Sequence, residues 1–276
     1  MPELPEVESL RLELNEASKG QAIKSIDLRR ENLRYPFQDD LSQKIIGKII
    51  DRVERRAKFI VFELNDHTFL VSHLGMTGSW NWIENGFEYS FRSHDHVVIE
   101  LDRGKLIYND PRRFGHLFHG DSFDKIKKPF DLSALGVEPF SKDFNSEYLL
   151  AHIKNRKSAN LKSVIMDQQV VVGVGNIYAS EALFLAKVKP TRKFSTLKAI
   201  EAKALVKSIV KVLSAGIKAG GTTLRDYRSL GQGKGNYQLR LKVYDRAGQP
   251  CTICRTKIKT SRIAGRSTYW CQKCQK

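Results

Sequence analysis

Cysteine is scarce in this 276-residue chain, and none occurs before Cys251. A disulfide framework spread over the fold is therefore excluded. Acid is scarce too: 30 Asp and Glu stand against 47 Lys and Arg, for a net charge of +17. From Cys251 to Lys276 there is no acidic residue at all, against seven basic ones. No apolar run approaches the roughly 20 residues of a membrane-spanning helix. The start, MPELPEVE, has neither the basic residues nor the apolar stretch of a secretory signal. The expectation is a cytoplasmic protein with no membrane partner. No GxGxxG follows a strand and no Walker lysine is present, so neither a nucleotide nor a redox cofactor is expected. Internal repeats and low-complexity tracts are absent as well.

What is present begins with 41% hydrophobic residues, enough for a real core and too many for global disorder. The charge excess attracts polyanions, so a phosphate-rich partner is the natural reading; a solvated basic surface is the plain alternative. Cys251, Cys254, Cys271 and Cys274 form two CxxC pairs separated by sixteen residues. Four thiolates so spaced suit one tetrahedral, structural zinc ion. Two disulfides, an iron–sulfur centre or a redox role are the alternatives, and nothing suggests an oxidising compartment.

Along the chain, Leu4, Val7, Leu10 and Leu14 recur at helical spacing, with Pro5 suited to a first turn and Gly20 ending the run. Residues 59–64, 68–74, 96–101 and 105–108 read as strands, two pairs of them joined by turns at Asn65-Asp66 and Asp102-Arg103-Gly104. Residues 1–130 then form a β-rich domain with one leading helix, and 131–145 a linker. Beyond it the period becomes helical, over 147–153, 161–164 and 177–185. A longer helix is capped near Ser195-Thr196 and runs to Leu213, with Leu197, Ile200, Leu205, Ile209 and Val212 on one buried face. Six glycines from Gly216 to Gly235 mark a loop. Residues 239–276 close as strands and a cysteine hairpin.

Several residues could carry chemistry. Trimming of Met1 would leave Pro2 as a secondary amine, able to form an iminium with a masked aldehyde such as a deoxyribose that has lost its base. Glu3 beside it could move protons. Equally, Pro2 and Glu3 could simply start a helix. Lys58, in a basic cluster before a strand, and His73, in HLGMTG, could bind phosphate. Met76 between glycines, and Arg112, Arg113 and Phe114 in DPRRFG, could wedge into a base stack. Gly173 to Tyr178 can cradle a phosphate at a helix start, with Asn176 adding a donor. Arg266 lies near the expected hairpin tip.

Together MPELPEVE, HLGMTG, DPRRFG, VGVGNIYASEALF, GGTTLRDY and the cysteine hairpin resemble, in order and over essentially the whole chain, the bacterial formamidopyrimidine-DNA glycosylases. The resemblance implies an α+β fold: an N-terminal β-sandwich domain with flanking helices, then a C-terminal helical domain with a helix-two-turn-helix and a zinc-finger β-hairpin. The domains implied are 1–130, carrying the N-terminal proline, 146–238 for DNA binding, with a lesion-capping loop at about 216–237, and 239–276 for the hairpin. It implies a bifunctional DNA glycosylase and AP lyase, a monomer acting on damaged double-stranded DNA. The substrates would be 8-oxoguanine and formamidopyrimidines. Pro2 would be the nucleophile, Glu3 the essential acid, Glu6 its supporting carboxylate and Lys58 a catalytic-site contact to DNA. His73, Asn176 and Arg266 would grip kinked phosphates. Met76, Arg112 and Phe114 would fill the gap left by the flipped base, with Arg113 supporting the backbone. Gly220, Gly221, Thr222, Thr223, Leu224, Arg225 and Tyr237 would belong to the lesion loop. The chain departs from the family pattern at Arg255 and Asp245, where glycine is common, and at Gln272-Lys273, which lacks a frequent proline. The sister endonuclease VIII-like group, acting on oxidised pyrimidines, is the nearest rival; a non-catalytic zinc-ribbon DNA-binding protein or nucleoid component is a more distant one.

Overall fold

The computed structural model describes residues 1–122, 132–222 and 236–276. The chain divides into two compact units: residues 1–134 with 219–236, and residues 135–218 with 237–276.

The first unit begins with helix α1 (Leu4–Ser18), which buries Leu4, Val7, Leu10 and Leu14, the stripe the spacing predicts. Eight strands follow in two four-stranded antiparallel sheets. One has the order β1 (Ile23–Leu28), β6 (Asp95–Leu101), β7 (Gly104–Asn109), β5 (Ser79–Glu84); the other β2 (Ile50–Arg56), β3 (Phe59–Leu64), β4 (Phe69–His73), β8 (His116–Gly120). A single core joins α1 to side chains of both sheets and to α2 (Leu41–Ile45), so the sandwich is one hydrophobic unit. Trp80 sits fully buried in it, edge-on to Phe62 and Tyr108, and its indole N–H donates to Ser72 Oγ at 3.0 Å. That hydrogen bond satisfies the one polar group of a large apolar ring.

The four strands expected from the sequence are there, and four more join them. β2 shows why those escaped notice. Its sequence IDRVERR carries five charges and buries mainly Ile50 and Val53, as an edge strand does.

The second unit holds α3 (Ser146–Ala151), α4 (Leu161–Ile165), α5 (Asn176–Leu185) and α6 (Ala199–Lys218), followed by the hairpin β9 (Lys259–Ile263) and β10 (Arg266–Trp270). The stretch between α4 and α5 is two successive turns, giving the helix-two-turn-helix. The long helix differs from expectation at its start. Phe194–Thr196 forms a 3-10 turn and α6 begins only at Ala199. Ile200, expected inside, is consequently 77% exposed, while Ala202 and Ser208 join Leu205, Ile209 and Val212 on the buried face. A start a few residues later removes the first turn from the apolar stripe. At the other end α6 runs past Gly216, whose lack of a side chain lets the Tyr178 ring of α5 lie against it.

Candidate functional site

In the first unit the N-terminus is built around two buried carboxylates. Pro2 is buried, and Glu3 and Glu6 are 3% and 2% exposed. They form a reciprocal cap on α1: the Glu3 side chain accepts from the Glu6 N–H, and Glu6 Oε2 accepts from the Glu3 N–H at 2.8 Å. This arrangement satisfies two of the otherwise orphaned donors of a helix start. The other oxygen of Glu6, Oε1, accepts from the Thr222 N–H at 2.7 Å. Gly221 makes this approach possible. Its φ of +81° is left-handed, and a Cβ there would lie 2.9 Å from Glu6 Cγ. Glu6 thus ties the first turn of α1 to the segment following residue 219. Thr223, Leu224 and Arg225 lie outside the described residues.

A second cluster gathers at one end of the β2-β3-β4-β8 sheet. Ala57, in a left-handed conformation, and Lys58 connect β2 to β3. Arg55 of β2 is held by Glu8 at 2.8 Å and by the Ala57 carbonyl at 2.9 Å. His73, at the end of β4, lies against the rings of Phe59 and His116. Burial, reinforced by His116 and the positive charges of Lys58 and Arg34, pushes its pKa down to about 3. His73 Nδ1 accepts from the Gly75 N–H at 3.1 Å. The ring is therefore neutral with its proton on Nε2, a donor suited to phosphate oxygen.

The HLGMTG and DPRRFG segments meet in a third cluster. Asp110, fully buried, accepts through Oδ1 from Thr77 Oγ1 at 2.5 Å and from the Arg112 N–H at 3.3 Å, and through Oδ2 from the Gly115 N–H at 2.8 Å. One carboxylate therefore laces the two loops together. Gly75 packs so tightly on Phe114 that a Cβ would come within 2.3 Å of its carbonyl carbon. Above this base Met76, Arg112, Arg113 and Phe114 are exposed, and the Arg112 guanidinium stacks 4.8 Å from the Phe114 ring. Large side chains held out from a rigid base are what insertion into a base stack requires.

In the second unit a buried ammonium plays the organising part. Lys162 of α4 is 1% exposed, and its Nζ donates to Asn176 Oδ1 at 2.6 Å, to Thr268 Oγ1 at 2.9 Å and to the Ser267 carbonyl at 3.2 Å. Asn176 Nδ2 donates to the same carbonyl at 3.0 Å. Asn176, at the start of α5, and Arg266, at the start of β10, are thereby registered to one another. Ala264 and Gly265, both with positive φ, turn the hairpin and leave Arg266 exposed beside its tip. Tyr237 is buried against Tyr178, ring centroids 5.2 Å apart. Glu181 of α5 accepts from the N–H groups of Lys242, Val243 and Tyr244, each at 2.9 Å, and so anchors the chain entering the hairpin.

The four cysteine sulfurs lie within 4.8 Å of one another, with Cys254 to Cys271 at 3.4 Å and Cys251 to Cys274 at 3.9 Å. A tetrahedron of thiolates about 2.3 Å from zinc has sulfurs roughly 3.8 Å apart, so the donor set fits. Burial and the neighbouring thiols push Cys274 up to about 12. A divalent cation offsets that cost. The cysteines form a structural zinc site.

Three family models cover nearly the whole chain: the N-terminal domain of formamidopyrimidine-DNA glycosylase over residues 1–117, its H2TH domain over 135–228, and the zinc finger found in FPG and IleRS over 248–276. The chain belongs to the formamidopyrimidine-DNA glycosylase family. A family member from Aliivibrio fischeri is 42% identical over all of this chain and 98% of its own length, and one from Rickettsia bellii 41% identical over the full length of both. Among solved structures, the Thermus thermophilus MutM (Fpg) protein superposes with a TM-score of 0.88 at 35% identity, covering 99% of this chain and 98% of that one. The Lactococcus lactis Fpg in complex with DNA containing an abasic site gives 0.87 at 34% identity, covering 99% of each chain.

Within this family frame, the two glycine departures acquire a physical meaning. Asp245 and Arg255 both sit at positive φ, 57° and 63°, where a Cβ is strained. Each costs about 1 kcal/mol relative to glycine. Sequence reasoning missed three organisers: Asp110, Lys162 and Glu181. A lysine between Leu161 and Val164, both buried, was the available signal for one of them. Asp110 was hidden by its neighbours, because proline and two arginines read as an exposed turn.

Proposed function

We propose that this chain excises oxidised purines from duplex DNA through covalent attack by the Pro2 nitrogen. As a member of its family it is a bifunctional DNA glycosylase and AP lyase that acts on oxidised purines, with damaged DNA as its partner. The observation that carries the residue-level mechanism is the buried Pro2–Glu3–Glu6 constellation, in which the carboxylate beside the prospective amine is held by the Glu6 N–H while the Glu6 carboxylate holds the Glu3 backbone.

The damaged nucleotide rotates out of the stack, and Met76, Arg112 and Phe114 occupy the gap. With Met1 removed, the Pro2 nitrogen bonds to the deoxyribose C1′. The C1′–base bond breaks, and the base leaves with a proton supplied through Glu3. Loss of the nitrogen's proton and opening of the C1′–O4′ bond, with a proton delivered to O4′ through Glu3, turn the adduct into an iminium, which acidifies the C2′ proton. Loss of that proton expels the 3′ phosphate by β-elimination, and a second, δ-elimination expels the 5′ phosphate. A one-nucleotide gap with phosphates at both ends remains. Lys58 and His73 contact phosphate near the lesion, and Asn176 and Arg266 contact phosphates from the second unit. Gly220 to Arg225 and Tyr237 contribute to the segment that receives the extruded base. Zinc supplies rigidity to the hairpin that presents Arg266.

In this reading residues 1–130 carry the chemistry, 146–238 the helical DNA contacts and 239–276 the hairpin, and the enzyme works on chromosomal DNA in the cytoplasm. Borohydride reduction of the enzyme mixed with an 8-oxoguanine:cytosine duplex should trap a covalent adduct whose peptide mass maps to Pro2. An adduct on another residue, or active protein that retains Met1, would overturn the mechanism. Faster cleavage of a thymine-glycol duplex would overturn the substrate class.

A further inference from the structure

Helix α6 has two faces of opposite character. Ala202, Leu205, Ile209, Leu213 and Gly216 are buried, the last against Tyr178 of α5. Lys203, Lys207, Lys211 and Lys218 are exposed. At 3.6 residues per turn these four lysines fall in one stripe on the side of α6 opposite α5. Asn176 begins α5 and is joined to the hairpin through Lys162. The stripe therefore points away from the helix that carries the phosphate contacts of the second unit.

The stripe is electrostatically unbalanced. The sole acid on α6 is Glu201, and it is paired with Arg192 at 2.7 Å. None of the four lysines forms an ion pair among the described residues. Lys203–Lys207 and Lys207–Lys211 are like-charge neighbours four residues apart, which destabilises a helix. A solvated face would ordinarily mix signs along such a row. Four aligned ammonium groups instead span about 22 Å, at 1.5 Å per residue. That equals roughly six base pairs of duplex at 3.4 Å of axis per phosphate in each strand.

We propose that this lysine stripe is a second duplex-DNA site, reading only phosphate, through which the enzyme captures a neighbouring DNA segment before leaving the one it occupies. The inference rests on duplex DNA as the substrate, but it concerns transfer between segments and no step of excision. Charge complementarity selects the occupant, since a phosphate backbone is the polyanion this enzyme already engages. A straight row of lysines offers point charges without the base-edge contacts that give sequence preference.

The test is a chase. Enzyme bound to a fluorescent undamaged duplex is mixed with increasing unlabelled duplex. Direct capture makes the departure rate rise severalfold with competitor concentration, and the effect disappears steeply with salt. The Lys203→Gln/Lys207→Gln/Lys211→Gln/Lys218→Gln variant keeps good helix formers throughout. It should depart at one rate whatever the competitor concentration, with single-turnover excision from a short damaged duplex unchanged. In the wild-type protein the salt slope of second-segment capture should be about −3 to −4. A variant that retains the competitor dependence, or a wild-type protein that lacks it, overturns the proposal. So does a variant that differs only in binding vesicles of anionic phospholipid, which would assign the stripe to a membrane surface. Failure of the wild-type protein to excise at all would be read separately, as failure of the proposed function.

Discussion

The two units fix their loops with different buried charges. In the first, buried carboxylates organise the loops: Glu6 reaches the Glu3 and Thr222 N–H groups, and Asp110 reaches Thr77, Arg112 and Gly115. In the second, a buried ammonium, Lys162, organises Asn176 and the hairpin, and a metal site closes the turn below. A chain of charge +17 thus places buried acids and the buried Lys162 as internal struts. A buried charge is tolerable only when its hydrogen-bonding capacity is filled, and a filled one admits few alternative geometries.

The comparison predicts that the units fail differently. The largest effect comes from zinc removal. Metal binding in small zinc modules is worth about 10–16 kcal/mol, so chelation should unfold residues 251–276 and abolish tight DNA binding. The near-ultraviolet signal of buried Trp80 in the sandwich should survive while that of Trp270 in the hairpin is lost. Simultaneous collapse of both signals would break the distinction between the units.

Next, Glu3→Gln removes the proposed proton carrier but keeps the shape of the cap. Single-turnover base release should fall by roughly 10² to 10⁴ with DNA affinity nearly unchanged, the reverse of the zinc result. Lys162→Met should do the opposite, taking this donor from Asn176 Oδ1 and Thr268 Oγ1 and leaving the Ser267 carbonyl with Asn176 Nδ2. A cost of about 1–3 kcal/mol would weaken duplex binding about 5- to 150-fold, read by titration, while excision at saturating enzyme holds. A loss confined to excision would move Lys162 into the chemistry.

The smallest effect concerns pH. His73 has a folded-state pKa of about 3 against an ordinary 6.5. The unfolded chain therefore takes up this proton first. The stability His73 contributes is complete above 6.5 and is lost as pH falls toward 3. Across pH 5 to 8 its ring nitrogens should show no titration by NMR, with the proton on Nε2 throughout. A midpoint near neutrality would turn the proposed phosphate contact into a charged one.

Much of the molecule was legible from residue order. The α1 stripe, four of the sandwich strands and the paired cysteines follow from local rules of periodicity and spacing, and each is there. Ile200 was misplaced because the helix start was drawn at a plausible cap, Ser195-Thr196, whereas the chain makes a 3-10 turn first. β2, an edge strand with charges on its open side, offers little alternation to read. Asp245 and Arg255 stand out only once their backbone is known to be left-handed.

By itself the sequence determined the class of partner, the metal donors and the residue types available for chemistry, because charge, thiol spacing and an N-terminal proline are properties of residues and their order. Which groups are struts and which are contacts was decided by the tertiary structure. Asp110 and Lys162 look like surface charges until folding removes water from them and brings partners from 33, 105 and 106 residues away. Desolvation is a consequence of packing, and it makes those hydrogen bonds organise the site instead of exchanging freely with solvent.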